Sequence, residues 1–166
     1  MRAGVALGSN LGDRLANLRN ARKDVAALGG VLPPLRSSAI YETEPVECEE
    51  GATKFFNAVI EFDYAGEPHA LRQALAGIEK LLGRPSAHER NVSRPIDLDL
   101  LYFGDLVIAT NDLKLPHPRI VGREFVLRPL ADIRPDLVLP QQSESVSALL
   151  GQLGPSTGVV RLELEW

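Results

Sequence analysis

Arg94-Pro95-Ile96-Asp97-Leu98-Asp99-Leu100-Leu101 is the stretch from which the rest of the chain can be read. In a β-strand successive side chains alternate between faces, so Ile96, Leu98 and Leu100 point one way while Asp97, Asp99 and Leu101 point the other. The apolar trio suits a core. Two carboxylates are then left roughly 7 Å apart on the opposite face. Like charges at that separation repel unless a cation, an arginine or a shared proton lies between them. Magnesium matches this arrangement, because it binds through one or two carboxylates, keeps waters and accepts phosphate oxygens. The competing reading is the solvated face of an ordinary amphipathic strand. Aspartate is a poor strand former, which counts against that reading.

Upstream lies a polar segment from Arg84 to Arg94 that carries Arg84, Arg90, Arg94, His88 and Glu89. Three arginines beside two aspartates form either surface ion pairs worth little each, or a phosphate clamp built from planar guanidinium forks. Before it, Leu71, Leu75, Ile78 and Leu82 repeat at helical spacing behind Pro68, and Gly83 ends the helix. Phe55 to Tyr64 alternates as a strand, with Phe56, Ala58, Ile60 and Phe62 on one face and Phe55, Asn57, Val59 and Glu61 on the other. An aromatic beside an amide suits a flat heterocycle, by stacking and paired hydrogen bonds. The same two residues also fit the wet end of a sheet.

Arg2 to Leu7 predicts a first strand, followed by Gly8-Ser9-Asn10-Leu11-Gly12-Asp13. That loop lacks the spacing and the lysine of a P-loop, so any phosphate must be held elsewhere. Asp13 or Asn10 caps a helix whose stripe is Leu15, Leu18, Ala21, Val25 and Leu28. Leu35 to Tyr41 predicts a second strand, and Glu42 to Lys54 a long polar loop. Downstream, Gly104-Asp105 turns the aspartate strand into Leu106 to Ile108. Leu115-Pro116-His117-Pro118-Arg119 holds His117 in a stiff loop, where a structural role competes with a functional one. Arg119 to Glu124 predicts one helical turn, and Phe125 to Leu130 packs. Val146 to Leu153 predicts a last helix and Val159 to Trp166 a closing strand. Two βαβ-like halves in this order predict an α+β fold of ferredoxin-like type, mostly antiparallel, with helices on one side of the sheet. One domain over residues 1–166 is expected.

The 166 residues, 45% of them hydrophobic and 24% charged, suit a globular protein with a sizeable core. A net charge of −4 argues against nucleic acid as a partner but leaves room for a nucleotide held by local arginines. No apolar run is long enough to span a membrane. The lone Cys48 and an N-terminus too short in apolar residues for a signal peptide lead to the expectation of a cytoplasmic monomer.

Seven blocks occur in an order that resembles a known family. They are Gly8-Ser9-Asn10-Leu11-Gly12, Tyr41-Glu42-Thr43-Glu44-Pro45-Val46, Phe56-Asn57-Ala58-Val59, Ile78-Glu79 with Leu82-Gly83-Arg84, the aspartate stretch itself, Pro116-His117-Pro118-Arg119, and Arg123-Glu124-Phe125-Val126-Leu127-Arg128-Pro129-Leu130. Together they resemble the 6-hydroxymethyl-7,8-dihydropterin pyrophosphokinases, folate-pathway enzymes that move pyrophosphate from ATP to a pterin alcohol. The resemblance implies two magnesium ions on Asp97 and Asp99, with ATP as co-substrate. It implies that Glu79, Arg84, Arg94, His117 and Arg123 lie along the ATP, with Leu100 near the adenine. Arg84 and Arg94, with the two aspartates, would act in catalysis. Phe55 and Phe125 would sandwich the pterin, and Asn57 with the main chain near Thr43 and Val46 would read its edge. Attack on the β-phosphorus with release of AMP is likewise implied by the resemblance. Phe55 stands where a tyrosine is familiar, Ser86 where a second arginine occurs and Asn91 where a tryptophan occurs. Two other readings compete: a ferredoxin-like binding module without catalysis, and a metal-dependent nuclease or phosphatase using the same aspartates.

Overall fold

The computed structural model describes residues 1–44, 53–83, 93–154 and 158–166. In chain order its elements are β1 (Arg2–Ser9), α1 (Arg14–Ala26), β2 (Val31–Ser37), β3 (Ile40–Thr43), β4 (Phe55–Tyr64), α2 (Pro68–Leu81), β5 (Asp97–Phe103), β6 (Ile108–Ala109), β7 (Lys114–Leu115), α3 (Glu124–Ile133), α4 (Val146–Gln152) and β8 (Val159–Leu162). Six strands form an antiparallel sheet in the order β5-β1-β4-β3-β8, with β2 also paired to β4. The predicted second strand is really two. β2 begins at Val31, and β3 takes over along the same side of β4 after Ser38 and Ala39.

The alternation of β1, β4 and β5 builds two apolar layers. Val5, Leu7, Phe56, Ile60, Phe62, Leu98 and Leu100 pack against α1 and α2 through Leu18, Val25, Leu71 and Leu75. Asp13 caps α1, its Oδ1 accepting from Ala16 N at 3.0 Å. Helices on one side only was the expectation. The structure puts α3 and α4 on the opposite face, where Val126, Leu127, Leu130, Val146 and Leu149 cover Val59, Leu101 and Tyr102. A helical turn was expected over Arg119 to Glu124 and only packing over Phe125 to Leu130; the structure instead has a ten-residue helix, Glu124–Ile133, with Pro129 inside it. Proline removes one helical hydrogen bond, and here burial of three neighbouring apolar side chains outweighs that loss.

A bulge shapes β5. Val5 pairs with Leu100 and Gly4 with Tyr102, so Leu101 is an extra residue. Upstream of it Asp97 and Asp99 share the α3 face. Downstream, Tyr102 keeps to that face and Phe103 returns to the main core. Gly4 is required here, because a Cβ would stand 2.2 Å from the Tyr102 ring. The Tyr102 hydroxyl donates to Glu61 Oε2 at 2.6 Å, and Arg2 and Arg134 pair with the same fully buried carboxylate. Asp132 accepts from Tyr41 Oη at 2.9 Å and from Ala39 N at 3.1 Å. These contacts fasten α3 to the sheet by its C-terminal half. Its N-terminal end, with Arg123 and Phe125, is thereby aimed along the α3 face toward the aspartates.

Two smaller expectations also change. The strand after Gly104 is only Ile108–Ala109, paired with Lys114–Leu115. The closing strand stops at Leu162, and the tail ends with Trp166 Nε1 donating to Ser38 O at 2.8 Å. Among the described residues no helix is long and apolar enough to cross a membrane.

Candidate active site

Register pairing places one row of residues across the sheet. Asp97 on β5 is opposite Gly8 on β1, which is opposite Asn57 on β4. One step along, Asp99, Ala6 and Val59 form the next row. The two carboxylates thus sit at one side of a shallow floor, with Asn57 and Phe55 at the other.

Asp99 is held above the usual carboxylate range, first by loss of solvent and then by the charge of Asp97, with His117, Arg123 and Arg94 pulling the other way. Arg94 Nη2 lies 3.4 Å from Asp97 Oδ2, while its Nε is buried without a hydrogen-bond partner. His117 is held below its ordinary pKa, chiefly by burial, with Asp99 opposing and Arg123 and Arg119 assisting. Its Nδ1 accepts from Arg119 N at 3.2 Å. The hydrogen-bond pattern therefore assigns the proton of the neutral ring to Nε2. Burial and Arg119 likewise lower the Arg123 guanidinium, which lies 5.4 Å from the centre of the Phe125 ring.

A cleft of about 400 Å³ opens beside the carboxylates, bordered by Glu79, Asp97, Asp99, Leu100, His117 and Lys114. Glu79 is buried and its Oε1 accepts from Leu98 N at 2.7 Å, so it ties α2 to the outer edge of β5. His117 N donates to Leu101 O at 2.8 Å on the same strand. The Leu100 peptide lies between these two ties, while its side chain points into the core. What Leu100 offers the cleft is main chain.

Across the floor, Asn57 Nδ2 donates to Thr43 Oγ1 at 2.8 Å, which leaves Oδ1 turned toward Gly8. Phe55 borders the same spot, and Phe125 stands in the first turn of α3 in the layer covering this face. The structure therefore groups Asp97, Asp99, Arg94, His117 and Arg123 as one charged cluster, with Glu79 and Leu100 along its cleft. Thr43, Phe55 and Asn57 form a second patch on the same sheet face. Val46 and Arg84, with Ser86, Arg90 and Asn91, lie outside the described residues.

Sequence reasoning missed Asn10, read only as a possible cap. It is fully buried. Its Oδ1 accepts from Arg94 N at 2.9 Å and its Nδ2 donates to Ser93 Oγ at 3.2 Å, while its backbone oxygen accepts from the Thr53 hydroxyl. One side chain so fixes the chain just before the aspartate strand and just before β4. A polar residue three places after the last apolar residue of the expected strand, in a loop without the spacing or lysine of a P-loop, was the signal available. Gly8 was also passed over as loop.

Two carboxylates and no third acidic, histidine or cysteine ligand among the described residues fit a hard cation that brings its own waters and takes ligand oxygens. They do not fit an all-protein cage. The unpartnered Arg94 Nε is a donor still available to such an oxygen.

Known proteins resemble this chain in sequence and in fold. The family model described as 7,8-dihydro-6-hydroxymethylpterin-pyrophosphokinase (HPPK) matches residues 4–135. A protein of Methylorubrum extorquens named 2-amino-4-hydroxy-6-hydroxymethyldihydropteridine pyrophosphokinase is 39% identical over 163 residues, covering 98% of this chain and 99% of its own. A folate synthesis bifunctional protein of Arabidopsis thaliana is 40% identical over 129 residues, which are 78% of this chain and 26% of that protein. The chain thus spans about a quarter of that longer relative. A solved HPPK-DHPS in complex with substrates superposes with a TM-score of 0.71 over 91% of this chain and 43% of its own, at 15% identity. That likeness supports the α+β, ferredoxin-like fold alone.

Proposed function

The chain belongs to the 7,8-dihydro-6-hydroxymethylpterin-pyrophosphokinase family, and from that premise we propose that it transfers pyrophosphate from ATP to 6-hydroxymethyl-7,8-dihydropterin in folate synthesis. The observation that carries the reading is the pairing, on one sheet face, of a cation-ringed carboxylate couple with an amide–aromatic patch across Gly8.

In this reading the triphosphate enters the cleft beside Asp97 and Asp99. Arg94 and Arg123 meet its oxygens with guanidinium forks, whose geometry matches phosphate. His117, neutral with its proton on Nε2, donates a hydrogen bond and is no base at that nitrogen. The Leu100 main chain lies by the base, and Glu79 keeps β5 in place beneath it. Phe55 and Phe125 stack the pterin while Asn57, fixed by Thr43, presents an acceptor to its edge. Asp97 and Asp99 would hold two magnesium ions, which supply neutralisation of phosphate charge and polarisation of its bridging oxygens. The hydroxymethyl oxygen forms a bond to the β-phosphorus as that phosphorus parts from the α–β bridging oxygen. AMP departs with the bridging oxygen, and the hydroxyl proton passes to solvent. Such a transfer asks the protein for positioning and charge, which is what these residues provide. Val46 and Arg84 belong to the same proposal as pterin-edge and triphosphate contacts, and residues 1–166 act as one domain.

The test is incubation with ATP, magnesium and the pterin alcohol, with nucleotides separated by chromatography. AMP that forms only in the presence of the pterin supports the proposal. Phosphate released without the pterin would instead favour a metal-dependent phosphatase.

A further inference from the structure

The main sheet has three outer edges, and they are not alike. Along β5, Glu79 Oε1 accepts from Leu98 N at 2.7 Å and His117 N donates to Leu101 O at 2.8 Å, so that edge is occupied. Along β2, which pairs only with β4, Pro33 and Pro34 have no N–H to offer a further strand. β8 ends the sheet on the other side and pairs only with β3. It carries neither proline nor lysine, and among the described residues no strand pairs with its outer edge. An open edge of that kind is a template for another chain. The side chains along it alternate strictly. Val160 and Leu162 lie on the α1 face with Leu164 next in the alternation, and Val160 and Leu164 are 56% and 39% exposed. Arg161 lies on the α3 face opposite Tyr41, and Glu163 follows two places on, its Oε1 3.7 Å from Arg161 Nε.

Antiparallel strands that continue one sheet set residues of the same face opposite one another, and opposite charges there attract while like charges repel. Two copies of β8 related by a twofold axis must therefore pair in a register centred on one residue. Centring on Arg161 sets two arginines against each other, and centring on Glu163 sets two glutamates against each other. Centring on Leu162 sets Arg161 of each copy opposite Glu163 of the other. Val160 then faces Leu164, and Leu162 faces its own copy. We propose that the chain forms a homodimer through the outer edge of β8, antiparallel and centred on Leu162, so that two six-stranded sheets become one. A twofold contact requires a self-complementary surface, and this strand is one in both charge and apolar pattern. A monomer was the expectation from the sequence, and the open edge replaces it with a dimer. Each β5, with its carboxylates, lies at the far side of the joined sheet, so both clefts stay open. The contact takes only about five residues from each chain, at the small end of specific interfaces, so the dimer is weak.

The test is sedimentation velocity of the full chain from about 5 to 500 µM, a range that spans a weak dimer. Wild type is compared with Arg161→Glu, Glu163→Arg, the two combined, and Val160→Lys, which gives the edge the lysine that protected edges carry. Wild type should pass from monomer to dimer with a Kd of roughly 10–100 µM. Each single reversal sets like charges across both halves of the contact and should raise the Kd about tenfold. The double reversal restores both pairs and should return the Kd to within about threefold of wild type. Val160→Lys should stay monomeric. Thermal melts at about 5 µM, where every form is monomeric, should agree within about 2 °C. A variant that melts early is set aside, and the remaining ones decide. A wild type that is still monomeric at the highest concentration overturns the proposal. An assembly that the variants leave unchanged, or one larger than a dimer, also overturns it. So does a double reversal no tighter than the single ones, because charge pairing across the axis is the one effect that the second substitution restores.

Discussion

Replacing Asp99 by asparagine should stabilise the metal-free protein and remove its response to magnesium. Two positions apart on a strand, the Asp97 and Asp99 carboxylates are roughly 7 Å apart, and unit charges there repel by about 2.4 kcal/mol at an effective dielectric constant of about 20. Arg94, 3.4 Å from Asp97, offsets part of this. A net gain of about 1 kcal/mol is expected for Asp99→Asn, or about 2–4 °C in Tm for a chain of this size. The pH dependence has a definite sign. Loss of solvent and the neighbouring Asp97 raise the folded-state pKa of Asp99 above its ordinary 3.8. Above that value the folded state binds more protons than the unfolded one, so this group lowers stability as pH rises through the window up to its folded pKa. Asp99→Asn should lose that component. With magnesium and an ATP analogue the order reverses, because a ligand at a hundred times its Kd stabilises wild type by about 2.7 kcal/mol and the variant much less. Calorimetric melting with and without magnesium, across a pH series, reads all three effects. A variant that melts below wild type in chelator, or that gains as much from magnesium and nucleotide, would refute the reasoning.

Phe125→Ala should weaken pterin binding by about 1–3 kcal/mol with little change for ATP, the scale of stacking a heterocycle on an aromatic ring; equal losses in calorimetry would make Phe125 a fold residue. Arg94→Ala should lower kcat more than ATP affinity, because negative charge grows on the leaving bridging oxygen as its bond to the β-phosphorus breaks. Rate and affinity falling in proportion across a salt series would leave Arg94 a ground-state contact. Glu61→Gln should cost about 2–3 kcal/mol in urea denaturation, since Arg2, Arg134 and Tyr102 converge on one buried carboxylate. A change below about 0.5 kcal/mol would show that network to be incidental.

The parts legible in the sequence are those set by short periodicities. Alternation in 55–64 and 96–101 assigned the faces of β4 and β5 correctly, and the stripe from Leu71 to Ile78 assigned α2. The α3 helix was missed, since Phe125 to Leu130 was read only as packing, and burial of Val126, Leu127 and Leu130 against the sheet is what holds a helix there around Pro129. The second apolar layer followed from that error, since without α3 the face of Val59 had no cover. Within the site, Asp97 and Asp99 stood out by residue type and spacing, whereas Asn57 and Phe55 read as readily as the wet end of a sheet and gained a role only through the family resemblance. Asn10 did not, because its partners Thr53, Ser93 and Arg94 lie 43 to 84 positions away. Gly8 stayed silent for a different reason. An absent side chain acquires meaning only once its neighbours are placed.

The bulge at Leu101 has a consequence for how this chain can vary in length. From Asp97 to Leu100 each residue is locked to β1, so one residue inserted or deleted there would turn at least one carboxylate into the apolar layer and put a leucine in the cleft. Beyond Gly104 the chain runs into a short hairpin, Ile108–Ala109 against Lys114–Leu115, that among the described residues pairs with no strand of the main sheet. Its exposed tip, Asn111 and Asp112, borders the cleft beside the aspartates, so residues added there lengthen a loop at the rim of the site without turning any strand side chain over. Natural length variation should therefore be tolerated better at 111–112 than between Asp97 and Leu101, where the count of residues is as much a part of the chemistry as the two aspartates.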